Sequence, residues 1–304
     1  MPAAPVLVEC VPNVSEGRDQ AVIDRLAATI TRAGARLMNV HVDPDHHRSV
    51  FSFLGQPDVV RAAALALADE TLTVVDMRGH RGVHPRLGAL DVLPFVPLEH
   101  IAMEAVVALA REVGRTLAER HRLPVYFYGQ AALRDQRRRL PDARRGGYEA
   151  LRARLATPDG RPDAGPSRFD ERSGAILVGA RTILVAYNVW LDSSDLEAAR
   201  AVARAVRESS GGLAAVQAMA VTLATRGLVQ VALNLLDYRL SGIPVAFDAV
   251  RREAQRRGIV VRRAELVGVA PRTAFAGRSP ASVGLTDFSD DLYLDTHLAA
   301  LRGH

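Results

Sequence analysis

Between Gly79 and Val96 the chain reads GHRGVHPRLGALDVLPFV, which sets two histidines, two arginines and an aspartate in a glycine- and proline-broken segment that runs into an apolar strand. Gly79, Gly82, Pro85 and Gly88 exclude a helix here, so His80 and His84 do not share a helix face as paired metal ligands would. What remains is a loop presenting imidazole, which exchanges protons near neutral pH, beside guanidinium forks that match carboxylates and phosphates. The chemistry implied is proton transfer on an anionic substrate. His84 precedes Pro85, which biases its backbone to an extended conformation and suits a general acid or base. The alternative is a loop histidine bonded to backbone; the adjoining Arg86 and Asp91 favour chemistry. His80 reads either as support for this loop or as an exposed side chain.

A second cluster, HVDPDHHRS from His41 to Ser49, gathers three histidines, two carboxylates and an arginine at a turn. It lacks the fixed spacing of a helical metal motif and offers too few oxygens for a hard cation, so no metal site is assigned. Arg48 reads as a carboxylate clamp or as a solvent-facing turn arginine. Upstream, VPNVSEG (Val11 to Gly17) ends a strand and leads to a helix, with Asn13 and Ser15 as candidate caps and a helix N-terminus able to receive an anion. Asn188 and Asn234 lie inside apolar strands, where a buried amide must either bridge strands or address a ligand.

The elements that must position these groups belong to a chain of 304 residues, 48% apolar, with a formal charge of +5. All 39 basic residues are arginine, many interleaved with acids along helices, which reads as solvated faces and not as a nucleic-acid surface. The absence of lysine excludes Schiff-base chemistry and a lysine phosphate anchor. Cys10, the single cysteine, excludes an internal disulfide and reads as a small buried thiol. No membrane span and no secretory leader are apparent, so a cytoplasmic protein is expected.

Hydrophobic periodicity predicts strand Pro5–Cys10, helix Gln20–Ala33, strands Arg36–Val42 and Ser49–Leu54, helix Asp58–Val75 and strand Ala89–Val96. The order β-α-β-β-α-β returns as strand Thr182–Trp190, helix Leu196–Glu208, strands Gly212–Ala220 and Leu228–Leu236, helix Val245–Arg257 and strand Ile259–Val269. This predicts an α+β protein of two tandem ferredoxin-like subdomains, 1–178 and 179–304, with sheets facing each other across a ligand groove. Between them come a helix at Met103–Arg120, a strand at Val125–Tyr128, an arginine-rich helical stretch through RDQRRR, and a Pro/Gly/Asp-rich segment, Thr157–Gly174, readable as linker or binding loop. The last 30 or so residues give only a weak signal for a tail or a short helix.

The motifs ECVPNVSEG, DPDHHRSVFSFLG, DMRGHRGVHPRLGALDVLPFVP, VYFYGQAA, PDAGPSRFDERSGA, GARTILVAYNVWL, QVALNLLD and ELVGVAP, in that order over roughly residues 7 to 271, resemble the formiminotransferase family. The resemblance implies a folate-dependent one-carbon transferase of histidine breakdown. It would move a formimino group from N-formimino-L-glutamate to the co-substrate tetrahydrofolate, with no metal. The family's catalytic histidine falls on His84, and its folate-binding stretch on Gly165, Pro166, Ser167, Arg168, Phe169, Asp170, Glu171, Arg172, Ser173 and Gly174. Arg48, Arg86, His41 and Asn13 are the further substrate-binding expectations, and a cytoplasmic homodimer without the fused cyclodeaminase domain is implied. Val83, His41, His47 and Ala220 depart from residues common in relatives. Two other readings stay open: a formyltransferase using 5-formyltetrahydrofolate, and a non-catalytic folate- or polyanion-binding protein.

Overall fold

Asp19 closes the loop after the first strand and starts a helix: its carboxylate accepts from the N–H groups of Ala21 and Val22 at 3.0 and 3.2 Å, satisfying donors that a helix start leaves open. Ile23, Leu26 and Ile30 then recur at helical spacing and turn into the core. In the computed structural model, which describes residues 5–302, the first part of the chain runs β1 (Leu7–Cys10), β2 (Asn13–Val14), α1 (Gln20–Arg32), β3 (Arg36–Asp43), β4 (Arg48–Gly55), α2 (Pro57–Val74) and β5 (Leu90–Glu99). The strand β1, continued by β2, lies between β4 and β5, and β3 pairs with the outer side of β4, every pairing antiparallel. Val14, Phe51, Phe53, Leu93 and Phe95 face the helices with Cys10, which is fully buried. The opposite face is where polar side chains gather. Asn13 stands opposite Val50 and Val50 opposite His41, and Arg48 is two residues before Val50, so all three polar groups project from the same side of the sheet.

The chain continues with α3 (Met103–His121), β6 (Val125–Gly129), α4 (Leu140–Ala143), α5 (Gly147–Leu155) and β7 (Ile176–Ala180). The strand β7 inserts parallel between β5 and β6, completing a seven-stranded sheet. It corrects two expectations. Thr157–Gly174 is no linker, because the chain returns to the first sheet after it; and RDQRRR forms only a short 3-10 turn, Asp135–Arg137. Arg137 there is buried against Asp163 at 2.6 Å, which pins the segment that follows α5. A small second core of Val92, Tyr126, Tyr128, Leu151, Leu155 and Leu177 lies on the other face of β5, β6 and β7.

The chain divides into units Met1–Arg181 and Thr182–His304, just past the 178/179 boundary expected, since β7 belongs to the first sheet. The second unit runs β8 (Val185–Leu191), α6 (Leu196–Val206), β9 (Val216–Leu223), β10 (Leu228–Leu235), α7 (Ile243–Gln255), β11 (Val261–Val267) and α8 (Leu294–Leu301). Its sheet is ordered β11-β8-β10-β9, wholly antiparallel, the same arrangement that β5, β1, β4 and β3 make in the first unit. Residues after β11 pack back on this unit, with Phe275, Phe288 and Tyr293 in edge-to-face contact and centroids 4.7–5.4 Å apart.

Gly88 and Gly174 form a backbone bridge. A Cβ at Gly88 would stand 2.4 Å from the carbonyl oxygens of both Ser173 and Ala175, whereas one at Gly79 meets nothing within 4 Å. Gly88→Ala is therefore expected to lower the urea midpoint by an amount equivalent to about 1–3 kcal/mol, and Gly79→Ala to stay within about 0.5 kcal/mol of wild type, both read by equilibrium denaturation.

Candidate active site

Three turns meet around His84. Gly82 approaches the turn after β3 so closely that a Cβ there would lie 2.3 Å from the His46 carbonyl, and Val83 N donates to the Asp45 carbonyl at 3.3 Å. Asp43 closes that turn by accepting from His46 N at 2.8 Å. Arg18 joins both turns from the start of α1, reaching the carbonyls of Pro44 and Arg81 at 3.1 and 3.0 Å. Backbone contacts of this kind hold a loop where a side chain alone would leave it mobile.

The half-buried His84 has its Nδ1 2.7 Å from its neighbour's carbonyl, that of Pro85. A carbonyl only accepts, so Nδ1 carries the proton and Nε2 the lone pair. Arg48 Nη1 lies 2.8 Å from Nε2 and 3.4 Å from Nδ1; contact with both nitrogens means that the guanidinium leans over the ring. The same Nη1 donates to Asn13 Oδ1 at 3.0 Å. The sequence-expected trio His84, Arg48 and Asn13 is thus assembled by β2, β4 and the 80–88 loop. Burial, then the cations Arg48 and Arg144 and the His46 ring, hold His84 well below the usual imidazole range. It is neutral at physiological pH, a proton acceptor at Nε2.

His80 is buried and structural in its contacts: Nε2 donates to the His47 carbonyl at 2.8 Å and Nδ1 accepts from Arg86 Nε at 3.1 Å. Its ring stacks on His47 with centroids 4.2 Å apart. Burial, first among the causes, pulls it down to about 4. Arg86 does not present an open fork, because Glu149 of α5 occupies it bidentately at 2.7 and 3.1 Å. Asp91 accepts from Leu87 N at 2.7 Å and from Arg144 at 2.6 Å. His41 shares that polar face of the sheet but sits on β3, two strands from Asn13.

The Gly165–Gly174 segment divides in two. Gly165, at positive φ, packs on the Leu123 carbonyl beyond α3, whereas Ser173 and Gly174 are bridged to Gly88 and Ala89 beside the His84 loop. Between them Phe169 lies under Arg152, 4.8 Å from its ring centroid, and against Tyr148. Asp170 closes the turn by accepting from Arg172 N and Ser173 N at 3.0 and 2.8 Å, Glu171 pairs with Arg152, and Arg172 reaches the Thr73 carbonyl at 2.5 Å. Pro166 is partly exposed, and Ser167 and Arg168 face solvent. In the second unit Asn188 bridges strands, donating to Glu265 of β11 at 3.0 Å, and Gln230 joins them at 2.8 Å. Sequence reasoning missed Glu149, Arg144 and His46 as neighbours of the loop; only the glycine pair after Arg145 hinted that the chain turns back there.

The first unit's residues 7–181 match the model of the formiminotransferase domain, N-terminal subdomain, and residues 186–279 that of the formiminotransferase domain. The chain is similar to the glutamate formimidoyltransferase of Thermoplasma acidophilum, 38% identical over 292 residues that cover 95% of this chain and 96% of that one. It is 34% identical to the glutamate formimidoyltransferase of Streptococcus pyogenes serotype M1, covering 98% of each. With the formimidoyltransferase-cyclodeaminase of Rattus norvegicus it shares 41% over 275 residues and spans about half of that relative's length, 51%. Two α+β units, the first holding a loop-borne histidine among arginines, define the class; the chain belongs to the formiminotransferase family.

His80 gives a pH signature with a definite sign. Its folded value of about 4 lies below the unfolded 6.5, so between these values only the unfolded chain binds the proton and stability falls as pH falls. Glu9, pushed up to about 7 by burial, acts oppositely in part of that window, so the readout is a difference. Wild type should lose on the order of 3 kcal/mol more than His80→Gln between pH 7 and 4, from 1.36 kcal/mol per unit, measured by denaturation at each pH.

Proposed function

We propose that this chain is a glutamate formimidoyltransferase, moving the formimino group from N-formimino-L-glutamate to tetrahydrofolate to give L-glutamate and 5-formiminotetrahydrofolate. The observation that carries the reading is His84, neutral, with its Nδ1 proton committed to the Pro85 carbonyl and Arg48 leaning on the ring. The pteridine nitrogen N5 attacks the amidine carbon, and a tetrahedral intermediate forms. Nε2 of His84 takes the proton from N5 and returns it to the departing glutamate nitrogen as the carbon–nitrogen bond breaks, so one imidazole serves both steps. Both substrates are carboxylates, which gives Arg48 its task; Asn13 orients Arg48 through their hydrogen bond.

Further parts of the same reading are the Gly165–Gly174 segment as the folate-binding stretch and His41 as a contact from the polar face of the first sheet. Arg86 would receive a substrate carboxylate in exchange for Glu149. The two β-α-β-β-α-β repeats are taken as ferredoxin-like subdomains, in a cytoplasmic homodimer that uses no metal. Their support is the shared strand order of the two sheets and the family membership.

With N-formimino-L-glutamate and tetrahydrofolate, wild type should turn over and His84→Ala should lose ~10²–10⁴ in kcat, with folate affinity retained. Arg48→Ala should raise KM for the amino-acid substrate about 10- to 100-fold, as loss of a charged hydrogen bond predicts. Absence of wild-type turnover with this donor, but turnover of 5-formyltetrahydrofolate with glutamate, would move the assignment to formyl transfer; binding without either would leave a folate-binding protein.

A further inference from the structure

The residues just after His84 are gripped by the turn between α4 and α5. Tyr148 N donates to the Arg86 carbonyl at 2.8 Å, Glu149 holds the Arg86 guanidinium, and Arg144 at the end of α4 binds Asp91 at 2.6 Å. Asp91 in turn holds Leu87 N at 2.7 Å. The Arg144–Asp91 pair is deeply buried, with side chains 11% and 1% exposed, and Arg144 Nε has no hydrogen-bond partner among the described residues. A buried ion pair of this kind is a poor source of stability, since apolar residues of similar volume often do as well. Its place beside the His84 loop, joined to Leu87 N through Asp91, points to a role in the placement of that loop.

We propose that Arg144 is a positioning residue for the reaction: by holding Asp91, which in turn holds Leu87 N, it sets the loop that carries His84. This rests on His84 as the general base of the proposed reaction. Arg48 of β4 lies 2.8 Å from His84 Nε2 and the His46 ring 5.5 Å from the His84 ring, and Arg144, just past α4, adds its positive charge to theirs. Arg48 leans on the ring and is itself assigned to substrate. Arg144 is committed to Asp91, so its charge, unlike that of Arg48, stays in place when substrate binds.

The test follows the His84 ring protons by NMR titration of the substrate-free full chain, assigned by comparison with His84→Ala. Arg144→Gln should raise the His84 pKa, and Arg144→Lys, which keeps the charge, should leave it near wild type. Asp91→Asn retains an acceptor for Leu87 N and strips a negative charge from the pair, so it should lower or preserve the His84 pKa. Loosening of the fold would instead move every variant upward toward 6.5, the ordinary histidine value. In turnover, Arg144→Gln should shift the acid limb of kcat/KM upward by the same amount with KM little changed. An unmoved His84 pKa in Arg144→Gln, or equal upward shifts in all three variants, overturns the inference. The titration needs no substrate, so absence of formimino turnover would count against the proposed function and not against this role.

Discussion

The hydrogen bond from His84 Nδ1 to the Pro85 carbonyl, 2.7 Å long, is the constraint on which the chemistry of the first unit depends. Once that nitrogen is committed as a donor, the other must hold the lone pair, and the ring becomes a base with one defined direction. The proline contributes twice, by stiffening the backbone at His84 and by offering a carbonyl next in sequence. Everything around the loop serves to keep that short-range contact in place. The 43–48 turn touches it through backbone at Gly82 and Val83, and the 173–175 segment clamps its far end at Gly88.

Charge around the loop is distributed unevenly. The arginines that touch it each have a distinct partner: Arg18 spends its donors on carbonyls, Arg86 on Glu149 and His80, Arg144 on Asp91, and Arg48 on Asn13 and His84. A neutral imidazole beside these cations costs nothing in repulsion, while a protonated one would. The fold therefore sets the protonation state of His84 before substrate arrives, which is the preorganisation that makes a fixed group effective. His80 does the reverse task with the same ring chemistry: sealed between the His47 carbonyl and Arg86, it joins two turns.

Much of this was legible in the sequence. Gly and Pro spacing ruled out a helix around His84, and hydrophobic periodicity marked Ser49–Leu54 as the strand that follows Arg48. The repeat of β-α-β-β-α-β came from periodicity alone. The strand β7 was hidden because AILVGA is short and wholly apolar, and a strand buried on both faces shows no alternation to mark it. Arg144 was hidden for a different reason: it is one of many arginines in RDQRRRLPDARRGG, and only folding against Asp91 distinguishes it from its exposed neighbours. The occupied fork of Arg86 was likewise invisible, since Glu149 lies 63 positions away.

Nitrogen-15 chemical shifts of the His84 ring at pH 7, in uniformly labelled protein, test the central claim most directly. The account predicts a neutral imidazole protonated at Nδ1, with Nε2 showing the shift of an unprotonated nitrogen. A cationic ring, or a neutral ring with its proton on Nε2, would contradict it.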